Sequence, residues 1–251
     1  MLLIKIFKHL FIILFIVSST VLQAADSNNS KAFIASQYQK LLENNKGLFI
    51  KAALPSQSVF ELAITGYLNL KETEQLSNTQ YLSIVDFSLA STEKRFWLIN
   101  LENSKVVYHS LVAHGRNTGQ NMAKYFSNKF SSYQSSLGFY VTGGTYHGKH
   151  GLSLYLHGKD KGYNDHAKKR AIVMHGADYV SEQFIKMHGR LGRSLGCPAL
   201  PMNNYKEIIN TIAGGTCLFL YYPSNEYIKK STVLAENSKL NSFSNFLAEE
   251  E

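Results

Sequence analysis

The chain has 251 residues, 45% of them apolar, and a formal net charge of +8. That length fits one domain with extensions, and the composition supports a sizeable core. No nucleic-acid-binding motif is present, so the charge points either to an anionic polymer or simply to a solvated, lysine-rich surface.

Lys5 and Lys8 precede an apolar run, Leu10 to Val17, and Leu22-Gln23-Ala24 ends on a small residue. This is the pattern of a secretory signal peptide over residues 1–24, with cleavage and export expected. The competing reading is a membrane anchor, but the run is shorter than the ~20 residues a span needs. Removing Lys5 and Lys8 leaves about +6 on the mature chain.

Residues 25–79 read as a linker and an N-terminal helical extension. Apolar residues recur at helical spacing from Lys31 to Asn44, and a second helix follows Pro55 with Val59, Leu62, Ala63 and Tyr67 on one face. From Tyr81 the period changes to that of strands. Runs rich in β-branched and aromatic residues cover Tyr81–Phe87, Arg95–Leu101, Lys105–Ala113, Leu137–Thr142, Leu152–His157, Ala171–His175 and Thr216–Tyr222. Helices interrupt them at Tyr179–Met187, closed by Gly189, and from Asn204, where Glu207 suggests a capping box, to Gly214-Gly215. Many short strands with few helices predict a mostly-β sandwich or barrel-like domain over residues 80–223. Residues 224–251 are expected to form a polar, loosely docked C-terminal tail.

The chemistry-bearing stretch runs from Arg170 to Pro201. His175 ends an apolar strand, and Cys197 follows in a turn beside Gly196. Only a few per cent of a free cysteine is thiolate at neutral pH, and a nearby imidazole raises that fraction as an ion pair. Gly196 allows a bend that leaves the neighbouring amides open to an oxyanion. Without further context, His175 reads equally as a structural histidine, and Cys197 as a buried thiol. His188 is a fallback base at the end of the helical spacer. Cys217 sits in an apolar strand as a small hydrophobe, and the two cysteines are expected to be unpaired. His147, His150 and His157 could be read as zinc ligands, but no metal-site spacing is present, so neither metal nor cofactor is expected.

Arg170–Ala177 (Arg-Ala-Ile-Val-Met-His-Gly-Ala) and Gly189–Pro198 (Gly-Arg-Leu-Gly-Arg-Ser-Leu-Gly-Cys-Pro) resemble the signature of the L,D-transpeptidases. These are bacterial cysteine enzymes that remodel peptidoglycan. The likeness is to their divergent branch, the murein L,D-transpeptidase catalytic domain family. Val-Ala-His-Gly-Arg at 112–116, Phe-Ser-Asn at 126–128 and Ser-Ser-Leu-Gly-Phe-Tyr-Val-Thr-Gly at 135–143 extend it over residues 80–223.

The resemblance implies a β-sandwich with the cysteine at a groove, Cys197 as nucleophile, and His175 as base. Gly196 and Ser194 would serve the oxyanion and orientation, while Arg193, Arg190 and Gly176 would meet substrate. Peptidoglycan stem peptides are the implied partner, in the periplasm or cell envelope of a bacterium. No nucleic acid and no stable membrane span are implied, and the oligomeric state is open. An L,D-carboxypeptidase using the same site, or a non-catalytic wall-binding protein on the same fold, are the alternatives. Two positions depart from the better-known branch: Leu195 stands where that branch has a second histidine, and Ala199 where it has Arg or Asn.

Overall fold

Eight strands hydrogen-bond into one mixed sheet in the order β3-β2-β1-β8-β4-β5-β6-β7. They are β1 (Tyr81–Asp86), β2 (Phe96–Asn100), β3 (Lys105–Ser110), β4 (Gly138–Gly148), β5 (Gly151–Gly158), β6 (Val173–Gly176), β7 (Ala199–Leu200) and β8 (Cys217–Tyr221). The computed structural model describes residues 29–47 and 54–235, so the expected signal peptide and the end of the tail lie outside the described residues. Residues Tyr38–Ala235 form one compact unit.

Strand β8 pairs in parallel with β1 and antiparallel with β4, and all five of its residues are buried. A strand covered on both faces reads as a continuous apolar run, which is how Cys-Leu-Phe-Leu-Tyr reads. The two outer strands nearly meet. Ala113, just past β3, exchanges backbone hydrogen bonds with Ala199 of β7 (2.9 and 3.3 Å), so the sheet curls towards a closed barrel. Closure removes sheet edges that would otherwise expose unpaired backbone groups.

Helix α1 covers residues 29–44, and Asn45 anchors its end. The Asn45 amide donates to Leu41 and Ser104 carbonyls and its oxygen accepts from Val106 N–H, tying the helix to the β2–β3 turn. Helix α2 (Gln57–Glu72) starts at Ser56, whose hydroxyl accepts the Val59 N–H. Val59, Ala63 and Tyr67 are buried as expected, and Leu62 is half-buried. Gly66 lets the helix touch the sheet: a Cβ there would sit 2.1 Å from the Phe139 ring.

Strand β4 runs well past Thr142. Gly143 and Gly144 form a bulge, with a register shift against β5 between Thr142 and Thr145, just past the expected end of the strand. The long β4–β5 hairpin that results reaches the site described below. Helix α3 (Glu182–His188) ends at Gly189 with φ 69°, as expected. Helix α4 (Tyr205–Ile212) has Asn204 as N-cap, but no side-chain cap bond forms. Glu207 instead accepts from the Tyr108 hydroxyl, so the expected capping box is absent.

Residues 224–235 are docked more firmly than a loose tail. Helix α5 (Asn225–Lys230) buries Tyr227, whose hydroxyl donates to buried Asp160. Asp160 also accepts from Ser231 Oγ, Phe139 N–H and Val233 N–H. This network is invisible in the sequence because its partners lie far apart along the chain.

Candidate active site

The fold brings His175 and Cys197 to one groove of about 450 Å³, lined also by Tyr146, Lys149, His150, Ser153, Arg170, Tyr179 and Arg193. Strands β6 and β7 position the pair. They run parallel with His175 opposite Ala199, so Cys197, two residues before Ala199, falls level with Val173. The Val173 N–H reaches Cys197 Sγ at 3.4 Å. The thiol faces the Ala171 carbonyl at 3.8 Å. Ala171 has a left-handed φ of 55°, which costs a non-glycine residue about 1–2 kcal/mol. This kink starts β6 two residues later than the alternation suggests.

Both cysteines are free thiols. Cys217 is buried in β8, and β4, β5 and β6 lie between it and β7 in the sheet.

His175 is almost fully buried, with Nδ1 2.9 Å from the Gly176 carbonyl. A carbonyl only accepts, so Nδ1 carries the proton and Nε2 keeps its lone pair. Burial holds the His175 pKa below 6.5, and the nearby charges of His150 and Lys149 lower it further. Burial pushes the Cys197 thiol up, partly opposed by the Val173 N–H and the positive charges of Arg170 and Lys149. The environment therefore favours a neutral thiol beside a neutral imidazole, rather than the ion pair expected from sequence. Among the described residues, no hydrogen bond joins them at rest.

The turn carrying Cys197 is held by two serines. Ser194 Oγ donates to the Cys197 carbonyl and accepts the Gly196 N–H (2.6 and 3.0 Å). Ser135 Oγ donates to the Gly196 carbonyl. Ser194 thus bonds its own turn while lining the groove, and makes no hydrogen bond to the histidine. Gly196 is needed for space and for its φ of 126°, since a Cβ would lie 2.8 Å from the Gln134 carbonyl oxygen. Its N–H is occupied by Ser194, which corrects its expected role as an oxyanion donor; the Cys197 N–H remains as the donor on this turn.

Gly176 also differs from expectation. It is buried in β6, where a Cβ would meet the Tyr205 ring at 2.6 Å, and it does not line the groove. Arg190 does not line it either; its Nη1 donates to the Leu191 carbonyl. Arg193 does line it, but its Nη1 is held by the Arg116 and Gly119 carbonyls, both at 3.0 Å.

The structure gives Arg170 and His150 roles that the sequence did not assign to them. Arg170 donates to the Ser127 and Gln134 carbonyls and to the Ser132 and Ser136 hydroxyls, fastening the 127–136 loop beside the thiol. His150, at the hairpin tip, stacks on His175 with ring centroids 4.4 Å apart. Tyr146 lines the groove while stacked on Tyr155, whereas Tyr163 packs on Tyr227 elsewhere. Tyr179 keeps its phenol proton, its pKa pushed up to about 12 by burial. No spacing rule could have found His150 or Lys149, because a bulged hairpin delivers them.

His147 and His157 are not gathered with other ligands: among the described residues, no group of three His, Cys, Asp or Glu side chains is placed to hold a metal. Among the same residues, no helix is long and apolar enough to cross a membrane.

A mostly-β fold presenting a cysteine and a histidine in one groove defines a class of candidate thiol enzymes. The chain belongs to the L,D-transpeptidase catalytic domain family, whose profile matches residues 51–221, α2 included. No curated protein matches it. Among solved structures it is similar to an L,D-transpeptidase from Mycobacterium smegmatis, with 10% identity over 57% of this chain and 59% of that one, and a TM-score of 0.35. It is also similar to the helical cell shape determining protein Pgp2 from Campylobacter jejuni, with 14% identity over 74% and 61% of the two chains and a TM-score of 0.38. The chain spans less than two thirds of the length of each.

Proposed function

We propose that this protein is a peptidoglycan-remodelling cysteine acyl transferase of the L,D-transpeptidase type, acting in the bacterial cell envelope. The observation that carries the reading is the shared groove of Cys197 and His175, with Nε2 left unprotonated by the Nδ1–Gly176 bond. Family membership supplies the substrate class, the stem peptides of peptidoglycan.

With both partners neutral at rest, the thiol gives up its proton as it attacks. Cys197 turns from the Ala171 carbonyl, its proton passes to His175 Nε2, and Sγ bonds to the carbonyl carbon before a D-residue. The Cys197 N–H, free of other partners on its turn, donates to the oxyanion; one such donor is typically worth about 3 kcal/mol. Collapse breaks the C–N bond, the imidazolium returns the proton to the departing amine, and a thioester remains. An amine from a second stem then forms an amide and restores the thiol, with His175 taking and returning the proton. Water in place of that amine makes the product a shortened stem.

The test incubates disaccharide-tetrapeptide muropeptides with the wild type and Cys197→Ala and reads products by mass spectrometry. Cross-linked dimers or tripeptide stems in the wild type alone are expected, together with a thioester adduct on the Cys197 peptide. Binding of muropeptides with no adduct and no product would leave a wall-binding protein instead.

A further inference from the structure

Among the described residues, three lysine or arginine cations line the groove: Arg170, Arg193 and Lys149. Arg170 spends four hydrogen bonds on the 127–136 loop, and Arg193 is anchored through Nη1 by two backbone carbonyls; Arg190, outside the groove, donates to the Leu191 carbonyl. Arg116 lies over the Tyr133 ring, 4.1 Å from its centroid. Lys149 differs from the two lining arginines: it lines the same groove, but no hydrogen bond or ion pair with a described residue holds its ammonium.

Its position is nevertheless set. Lys149 and His150 form a two-residue hairpin tip between paired Gly148 and Gly151. His150 is stacked on His175, and Gly151 has φ 73° at a point where a Cβ would lie 3.0 Å from the Tyr205 hydroxyl. The tip is thus tethered over the site with a lysine charge close enough to act on both Cys197 and His175. An unpaired ammonium beside a nucleophile attracts a ligand that carries an anion next to its reacting bond. A peptide whose leaving residue ends in a free carboxylate has that chemistry, and Ala199, buried in β7, offers no side chain for the task.

We propose that Lys149 is the carboxylate receptor of this groove, binding the free C-terminal carboxylate of the donor peptide's leaving residue; this rests on the acyl-transfer reading above. The residue is specificity-determining: it selects peptides with a terminal acid over those without one. A lysine suits the role because its point charge on a flexible stem follows the carboxylate as the scissile carbonyl becomes tetrahedral.

The experiment uses the full chain and two tetrapeptide donors that differ only in a C-terminal carboxylate or carboxamide. Wild type is compared with Lys149→Gln, Lys149→Arg and Lys149→Glu, and release of the last residue is followed by mass spectrometry. Lys149→Gln is expected to cut kcat/KM for the acid about tenfold, mainly through KM, while barely changing the amide. Lys149→Arg restores the acid preference and Lys149→Glu reverses it. An acid-to-amide ratio unchanged by Lys149→Gln overturns the proposal, because the lysine would then act only on thiol reactivity. Binding of the same two peptides to Cys197→Ala, with and without Lys149→Gln, separates this inference from its parent. If the wild type forms no adduct, the parent reading fails, while acid-selective binding that depends on Lys149 still supports the receptor. Equal binding of the acid and amide peptides refutes it.

Discussion

The imidazole of His150 lies nearly flat on that of His175, with planes 20° apart and centroids separated by 4.4 Å. One comes from the tip of the β4–β5 hairpin and the other from β6, so the stack joins a protruding element to the candidate base. It also covers one face of the ring that Gly176 holds at Nδ1.

The stack predicts that His150→Ala lowers acylation about tenfold and that His150→Phe, which keeps a flat ring, restores most of it. The pH profile separates positioning from general damage. His175 works as a base only when neutral, so rate falls as pH drops through its pKa, which lies below 6.5. Charge on His150 lowers that pKa, so His150→Phe moves the acid limb to higher pH. An acid limb that stays in place, with no recovery in the phenylalanine variant, would refute the positioning role.

A neutral resting thiol has its own signature. Alkylation of Cys197 by iodoacetamide is expected to have its midpoint above 9.0, because burial disfavours the thiolate. Arg170→Met removes a charge that lowers the thiol pKa, so the midpoint rises further. A midpoint well below 9.0 would instead indicate a preformed thiolate–imidazolium pair.

Asp160 accepts hydrogen bonds from Tyr227, Ser231, Phe139 and Val233 while fully buried. Asp160→Asn replaces one acceptor oxygen with a donor and leaves buried hydroxyl or amide donors unmatched, at a cost of about 1–3 kcal/mol. Urea unfolding should show that loss, and limited proteolysis should cut first near residues 224–235. A wild-type unfolding midpoint would show that the network contributes nothing to stability.

His114 makes stability depend on acid. It is buried, its Nδ1 accepts from Arg95 at 2.8 Å, and burial followed by the Arg95 charge depresses its pKa to about 3. The unfolded chain binds that proton near pH 6.5, before the folded chain does, so the contribution is complete above 6.5 and is lost as pH falls towards about 3. His114→Asn keeps an acceptor for Arg95 without titrating, so its stability should fall less steeply between pH 6 and about 4.5. Identical slopes for wild type and variant would refute this assignment.

Much of the fold was legible from local pattern. Helix α2 followed from Pro55 and the spacing of Val59, Leu62, Ala63 and Tyr67, and the buried strands from their β-branched and aromatic runs. What escaped were features made by distant partners. The expected strand stops at Thr142, before the Gly143-Gly144 bulge across which β5 pairs, and β7 is only two residues long, too short for any alternation. Helix α5 depends on a carboxylate more than 60 residues earlier in the chain.

The sequence by itself determined which residue types were available for the chemistry: a histidine ending a strand, a cysteine in a glycine turn, and motif blocks specific enough to mark the family. Those are properties of short segments, and short segments keep them wherever they are placed. Only the tertiary structure decided who is free to act. It tied up the Gly196 amide with the Ser194 hydroxyl, anchored Arg170 and Arg193 on neighbouring loops, buried Gly176, and swung Lys149 and His150 over the site. Hydrogen-bond occupancy and desolvation arise from neighbours in space, and β6, β7 and the β4–β5 hairpin become neighbours only when the sheet curls.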